Sequence, residues 1–257
     1  MQLAWMTSPD VADYIERDAV VIVPVGAIEQ HGPHLPVSTD AAIVEAVAIA
    51  AAELSGDLVA PVVSYGYNQK ELSFPGTVSA TLETLTRYLF DVCNSLRITG
   101  FKRILILNGH GWNKPSIGAA AHLLAESDEV LCAATSYYDL IEDTLQEIRE
   151  SEYPGGMSHG GELETSLALH LFPERVKMDA ARKDISFPRS EYVWLDIQSP
   201  PPVSLPRQFK DLTKTGVIGD PTLATQEKGR LAFLAAAQAV ANLSRDLRQH
   251  PLPGEAR

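Results

Sequence analysis

Three short clusters in the 257-residue sequence bring acidic and imidazole side chains together. The first is Gly26-Ala27-Ile28-Glu29-Gln30-His31-Gly32-Pro33-His34-Leu35-Pro36, followed by Thr39-Asp40. The second is Asn108-Gly109-His110-Gly111-Trp112-Asn113. The third is Ser158-His159-Gly160-Gly161-Glu162-Leu163-Glu164-Thr165-Ser166. Carboxylates mixed with imidazoles suit Zn²⁺, Mn²⁺ or Fe²⁺, whereas Ca²⁺ wants oxygen ligands only. Glycines flanking His110 let the backbone turn tightly and leave the ring room to reach inward. Each cluster also has a plain reading. The first is a polar turn, His110 a surface histidine, and Glu162 or Glu164 a carboxylate at a helix N-terminus. Glu29, His31, His34 and Asp40 packed around Gly and Pro directly after an apolar run favour chemistry over that reading. His122 and His170 fall within helical patterns and His250 in the tail, and they read as structural or solvated.

The elements that must position these residues alternate. Ala19–Val25, Leu58–Val63, Arg103–Leu107 and Val130–Thr135 are short Val/Ile/Leu runs of strand type. Between and after them lie helical patterns at Asp40–Leu54, Leu82–Leu96, Pro115–Ala125, Leu163–Leu171 and Thr225–Leu247. This order predicts an α/β fold: one domain over 1–257, with a mainly parallel sheet flanked by helices. In such a sheet, sites form beyond the carboxyl ends of the strands, where the first two clusters lie. The stretch 180–219 differs. Pro188, the run Pro200–Pro201–Pro202 and Pro206 forbid a long helix or central strand. It is a linker or an ordered arm lining a site or subunit contact, and Tyr192, Trp194 and Phe209 favour the arm.

Composition narrows the class. Acidic residues outnumber basic ones, 33 to 21, for a formal net charge of −12. That balance argues against a nucleic-acid or membrane-surface partner, since phosphate binding needs a Lys/Arg footprint. With Cys93 and Cys132 alone there is no disulfide framework, which fits a reducing compartment. No run of about 18 apolar residues occurs, and the first residues lack a basic segment followed by an apolar one, so the expected location is cytoplasmic. No G-x-G-x-x-G, P-loop, G-x-S-x-G or paired C-x-x-C motif is present.

Taken in order, the clusters resemble the creatininase (creatinine amidohydrolase) family. The matching residues are Gly26–Pro36 with Asp40, Tyr65-Gly66-Tyr67, Phe74-Pro75-Gly76-Thr77, Asn108-Gly109-His110-Gly111, His159-Gly160-Gly161 with Glu164-Thr165-Ser166, and Gly216–Pro221 with Glu227-Lys228-Gly229. The resemblance implies a hydrolase with two divalent metal ions, zinc before manganese or iron. By position Glu29, Asp40 and His110 would hold one ion. His31 and Asp40 would hold the other, with Asp40 bridging. Creatininases carry a ligand Glu where this chain has Trp112, so Glu162 is expected to supply the missing ligand, with Glu164 the other candidate. His159 matches the family's catalytic His; the competing role is to orient a ligand carboxylate. A homo-oligomer, a hexamer, is also implied.

Two departures bear on the substrate. Tyr138, and the loop near Gly155, stand where creatininases carry Trp residues that close over creatinine, although Tyr65-Gly66-Tyr67 with Gln69-Lys70 keeps creatinine a candidate. The resulting expectation is hydrolysis of a C–N bond in a small cyclic amide or formamide by metal-activated water. The alternatives are another ring substrate, as in a pyrimidine deformylase or keto-inositol-type hydrolase, and a metal- or ligand-binding protein without catalysis. A dinuclear phosphoesterase lacks a positioned Arg or Lys near the clusters.

Overall fold

The four apolar runs form one parallel sheet in the order β2-β1-β3-β4: β1 (Val21–Val25), β2 (Leu58–Val59), β3 (Arg103–Asn108) and β4 (Leu131–Ser136). The computed structural model describes residues 1–199 and 201–255; Pro200 of the proline run and the last two residues lie outside the described residues. Among the described residues seven α-helices accompany the sheet: α1 (Ser8–Glu16), α2 (Thr39–Ser55), α3 (Leu82–Ile98), α4 (Lys114–Leu124), α5 (Glu142–Ile148), α6 (Glu162–Leu171) and α7 (Gln226–Gln249). A second, antiparallel pair joins β5 (Met157–His159) to β6 (Ile218–Gly219).

The central strands β1 and β3 are buried on both faces, which is why their sequences run largely apolar rather than alternating, whereas β4 at the edge is half-buried. Ile22, Leu105 and Leu107 pack with Val44 and Val47 of α2, Leu167 of α6 and Val240 of α7. Val21, Val23, Ile104 and Ile106 face the other way, onto Leu85 and Leu89 of α3 and Ile117 of α4. Each such side chain contributes roughly 1.5–3 kcal/mol by leaving water. The register sets Val25 opposite Asn108, so β1 and β3 end together and their following loops emerge side by side.

Three features depart from the sequence expectation. The second strand stops at Val59, because Pro61 has no N–H for a ladder; Val63 returns for a single bridge to Val25. Helix α1 was not expected, although its signal is legible: the Thr7 N–H donates to the Asp10 carboxylate at 3.2 Å, half of a capping box. Strands β5 and β6 are too short to show a period.

Described residues of the proline-rich stretch pack with one another and with the rest of the chain. Phe187, Phe209, Leu212 and Ile218 form their own small core. The Phe209 N–H donates to the Lys70 carbonyl at 3.0 Å, and Arg149 grips Asp196 with bonds of 2.6 and 3.1 Å. Among the described residues, no helix is long and apolar enough to cross a membrane.

Candidate metal centre

Glu29 and His31 lie in the loop after β1, Asp40 is the second residue of α2, His110 follows β3, His159 ends β5, and Glu164 lies in the first turn of α6. Close approach of these elements depends on glycine. A Cβ at Gly109 would meet Val44 Cβ at 2.8 Å and the Asp40 carbonyl at 2.9 Å. Gly160, at φ +57°, passes within 3.1 Å of the His31 carbonyl in the same sense and occupies the left-handed region that favours glycine.

The three imidazoles are held alike. His31 Nδ1–H donates to the Glu29 main-chain carbonyl at 3.1 Å, His110 Nε2–H to the Tyr67 carbonyl at 3.3 Å, and His159 Nε2–H to the Gln30 carbonyl at 2.6 Å. Each ring thereby fixes one nitrogen on the backbone and turns the other toward the carboxylates. His31 Nε2 lies 3.1 Å from Asp40 Oδ1 and 3.8 Å from Glu164 Oε2. His110 Nδ1 lies 3.1 Å from Asp40 Oδ2 and 3.2 Å from Glu29 Oε1, and His159 Nδ1 also lies 3.2 Å from Glu29 Oε1.

Three trios of ligand atoms lie within 4.8 Å of one another: Glu29, Asp40 and His110; His31, Asp40 and Glu164; and Glu29, His31 and His159. The first two share Asp40, as the first and third share Glu29 and the second and third His31. The set fits divalent cations on two observations. Both oxygens of Glu29 and Oδ2 of Asp40 are buried without a hydrogen-bond partner among the described residues, although imidazole nitrogens crowd them. Buried carboxylate oxygens left this way are costly unless a cation takes them. The cluster also demands positive charge. Burial alone would lower the His31 pKa, yet Asp40, Glu164 and Glu29 raise it to about 10. Burial likewise opposes a charged His110, but Glu29 and Asp40 hold it well above the usual imidazole range. Burial favours neutral Glu29 and Asp40, yet the imidazoles around them lower both.

The expected role of Glu162 needs correction. Its carboxylate accepts from the Glu150 N–H at 3.1 Å and the Ser151 N–H at 2.9 Å, and it is paired with the buried Lys228 ammonium. It belongs to none of the three trios. Helical geometry explains this. Two residues along α6 is about 200° of rotation, so Glu162 and Glu164 face opposite ways. Glu164 faces the cluster, and its Oε2 accepts from the Gly160 N–H at 2.6 Å. His34 also stays outside the trios. Its Nε2 is bonded to the Thr165 hydroxyl at 2.9 Å, and burial, with His31 and His159 nearby, lowers its pKa to about 4.

A cavity of about 210 Å³ opens on the cluster, with His110, His159 and Glu164 at its base and Trp112, Tyr138, Trp194 and Phe209 among its walls. Phe209 meets the His159 ring edge-on at 4.8 Å. Two polar residues stand beside it, Lys70 from the Gln69-Lys70 stretch and Glu71, which carried no sequence signal. Lys70 places its ammonium 3.7 Å from the Trp112 ring centroid. Glu71 is buried with neither carboxylate oxygen partnered among the described residues.

A parallel α/β sheet with a carboxylate–imidazole centre at the carboxyl ends of its strands is an arrangement suited to metal-dependent hydrolysis. The chain belongs to the creatininase family: the family model described as creatinine amidohydrolase matches residues 4–244, and the chain is a hydrolase of this family. It is 34% identical over 231 residues to a mycofactocin precursor peptide peptidase of Mycobacterium tuberculosis, covering 84% of this chain and 80% of that protein. It is 31% identical over 245 residues to the creatinine amidohydrolase of Pseudomonas putida, covering 89% and 90%. A crystal structure of creatinine amidohydrolase matches with a TM-score of 0.84 and 27% identity over 97% of this chain and 98% of that one. A Zn–Zn form of a creatininase variant and a Mn form of creatininase match at TM-scores of 0.80 and 0.82, with 28% and 29% identity, each over 95% of this chain and 97% of the other.

Proposed function

We propose that the chain is a metal-dependent amidohydrolase that cleaves a C–N bond in a small cyclic amide or formamide. Glu29, Asp40 and His110 would hold one divalent ion, and His31, Asp40 and Glu164 the other, with zinc the first candidate and manganese the second. The observation that carries this reading is the Asp40 carboxylate standing between two ligand trios beside a Glu29 carboxylate with no other partner. Divalent ions so held supply a water of lowered pKa and polarise the substrate carbonyl.

The chain's own residues do the rest. The backbone carbonyls of Glu29 and Tyr67 fix which nitrogen of His31 and His110 faces inward. Gly160 N–H holds the Glu164 carboxylate in place. Departure of an amide nitrogen needs a proton, and His159 is the assigned donor. Its Nε2 is committed to the Gln30 carbonyl, which leaves Nδ1 to carry the proton at the cavity wall. Trp112, Trp194 and Phe209 keep bulk water from the reacting bond. A homo-oligomer, hexameric by family resemblance, is part of the proposal.

A hydrolysis screen in the presence of added Zn²⁺ or Mn²⁺ tests this, over creatinine, hydantoins, lactams, formamides and lactones. Metal-dependent turnover of a C–N substrate is expected. Full metal occupancy with no turnover of any C–N class would instead support a binding protein.

A further inference from the structure

Next to the reactive cavity lies a second one of about 180 Å³, and the two share Trp112, Trp194 and Leu195 as a common wall. The rest of the second cavity comes from the arm, with Phe187, Leu205 and Leu212 giving it an apolar surface. Two guanidinium groups also line it. Arg189 is engaged, with Nη2 2.8 Å from a Glu152 carboxylate oxygen and Nη1 donating to the Pro154 carbonyl at 3.0 Å. Arg207 has no carboxylate within 4.0 Å and no hydrogen bond among the described residues. Arg207 is exposed at the rim of this apolar cavity, where its guanidinium is free to pair with a ligand. The Lys70 ammonium over the shared Trp112 wall, also without a carboxylate partner within 4.0 Å, adds to the positive potential there.

We propose that this second cavity seats the far end of the substrate: an apolar segment lying against Trp112 and Trp194 and ending in a carboxylate paired with Arg207. The substrate class is then an elongated, carboxylate-terminated amide whose scissile C–N bond lies at the carboxylate–imidazole cluster. This rests on the hydrolase reading for the position of that bond, while the binding site itself does not. A guanidinium offers two parallel donors that match a planar carboxylate. A phosphate, carrying more charge, would call for more donors than Arg207 and Lys70 provide.

Binding can be measured without turnover, through quenching of Trp112 and Trp194 fluorescence in the metal-loaded protein. Trp5, at 84% exposure, supplies a constant background. The probes are 4-phenylbutyrate, its neutral counterpart 4-phenylbutanol, and 3-phenylpropyl phosphate. The acid should bind about 10-fold more tightly than the alcohol, the effect of one charge-assisted pair. Arg207→Gln should bring the acid down to the alcohol's affinity, and Arg207→Lys should recover part of the difference. Arg230→Gln, on the exposed face of α7, should leave the acid's affinity as in wild type. Equal binding of acid and alcohol would overturn the proposal, as would an unchanged acid affinity in Arg207→Gln or a phosphate preferred 10-fold over the acid. Hydrolysis of 4-(2-formamidoethyl)benzoate, whose carboxylate ends the apolar segment, against N-formylphenethylamine forms the separate kinetic arm. If neither is cleaved while the binding pattern holds, the formamide reading fails and the carboxylate site stands.

Discussion

His110 Nδ1 lies 3.2 Å from Glu29 Oε1, yet the pair lacks the alignment of a hydrogen bond, and both Glu29 oxygens are left unpartnered among the described residues. A nitrogen and an oxygen converging on one buried point is an arrangement that suits a shared cation. Metal removal should therefore cost more than activity. In the chelated protein the stability supplied by binding disappears, by an amount that grows with free metal as RT ln(1 + [L]/Kd), about 4 kcal/mol at 1,000-fold excess over Kd. A Tm that does not respond to chelator would contradict the site.

Glu162 and Glu164, two residues apart, should fail differently. Glu162→Ala leaves Lys228 with Glu150 alone as carboxylate partner, 2.7 Å away, and frees the N–H groups of Glu150 and Ser151, so it should lose about 2 kcal/mol of stability with metal stoichiometry intact. Glu164→Gln should fold with near wild-type stability and lose metal. Urea denaturation and elemental analysis on both variants check the pair, and a metal loss confined to Glu162→Ala would reverse the assignment.

That contrast marks the limit of what the sequence tells. The apolar runs ending at Val25 and Leu107 were legible because parallel strands are buried on both faces, and with them the loops that carry Glu29, Asp40 and His110. The choice between the two glutamates was not, because it depends on how α6 is rotated against Lys228, 66 residues away. Nothing local marks Glu71, for a related reason: its surroundings exist only once the chain folds over and Phe209 bonds to the neighbouring Lys70 carbonyl. The Thr7–Asp10 cap of α1, by contrast, stood in the sequence unread.

Glu71 makes stability depend on pH. Burial, and then the nearby Glu29 charge, push its carboxyl from 4.5 up to about 6. The fold therefore favours its protonated form. The corresponding stability is fully present below pH 4.5 and is lost as pH rises through about 6. Glu71→Gln should match wild type near pH 4 and exceed it by about 2 kcal/mol above pH 7 in the metal-free protein. Bound cations should shrink the gap by favouring the ionised carboxylate. A difference independent of pH in denaturant titrations at pH 4, 5.5 and 7.5 would refute this.

His159→Asn separates proton donation from metal holding. As donor, His159 predicts a loss of ~10²–10⁴-fold in turnover on amides with both metals retained, and a smaller loss on substrates with good leaving groups. Its place in the trio with Glu29 and His31 gives the competing outcome: metal lost in proportion to activity.

The central claim is that Asp40 joins two metal positions. Elemental analysis after zinc loading and exhaustive dialysis tests it directly. Wild type should retain about two zinc ions per chain, the stoichiometry of a two-metal site. Asp40→Ala should retain almost none, because both ions lose a ligand. Wild-type zinc content in Asp40→Ala would contradict the account.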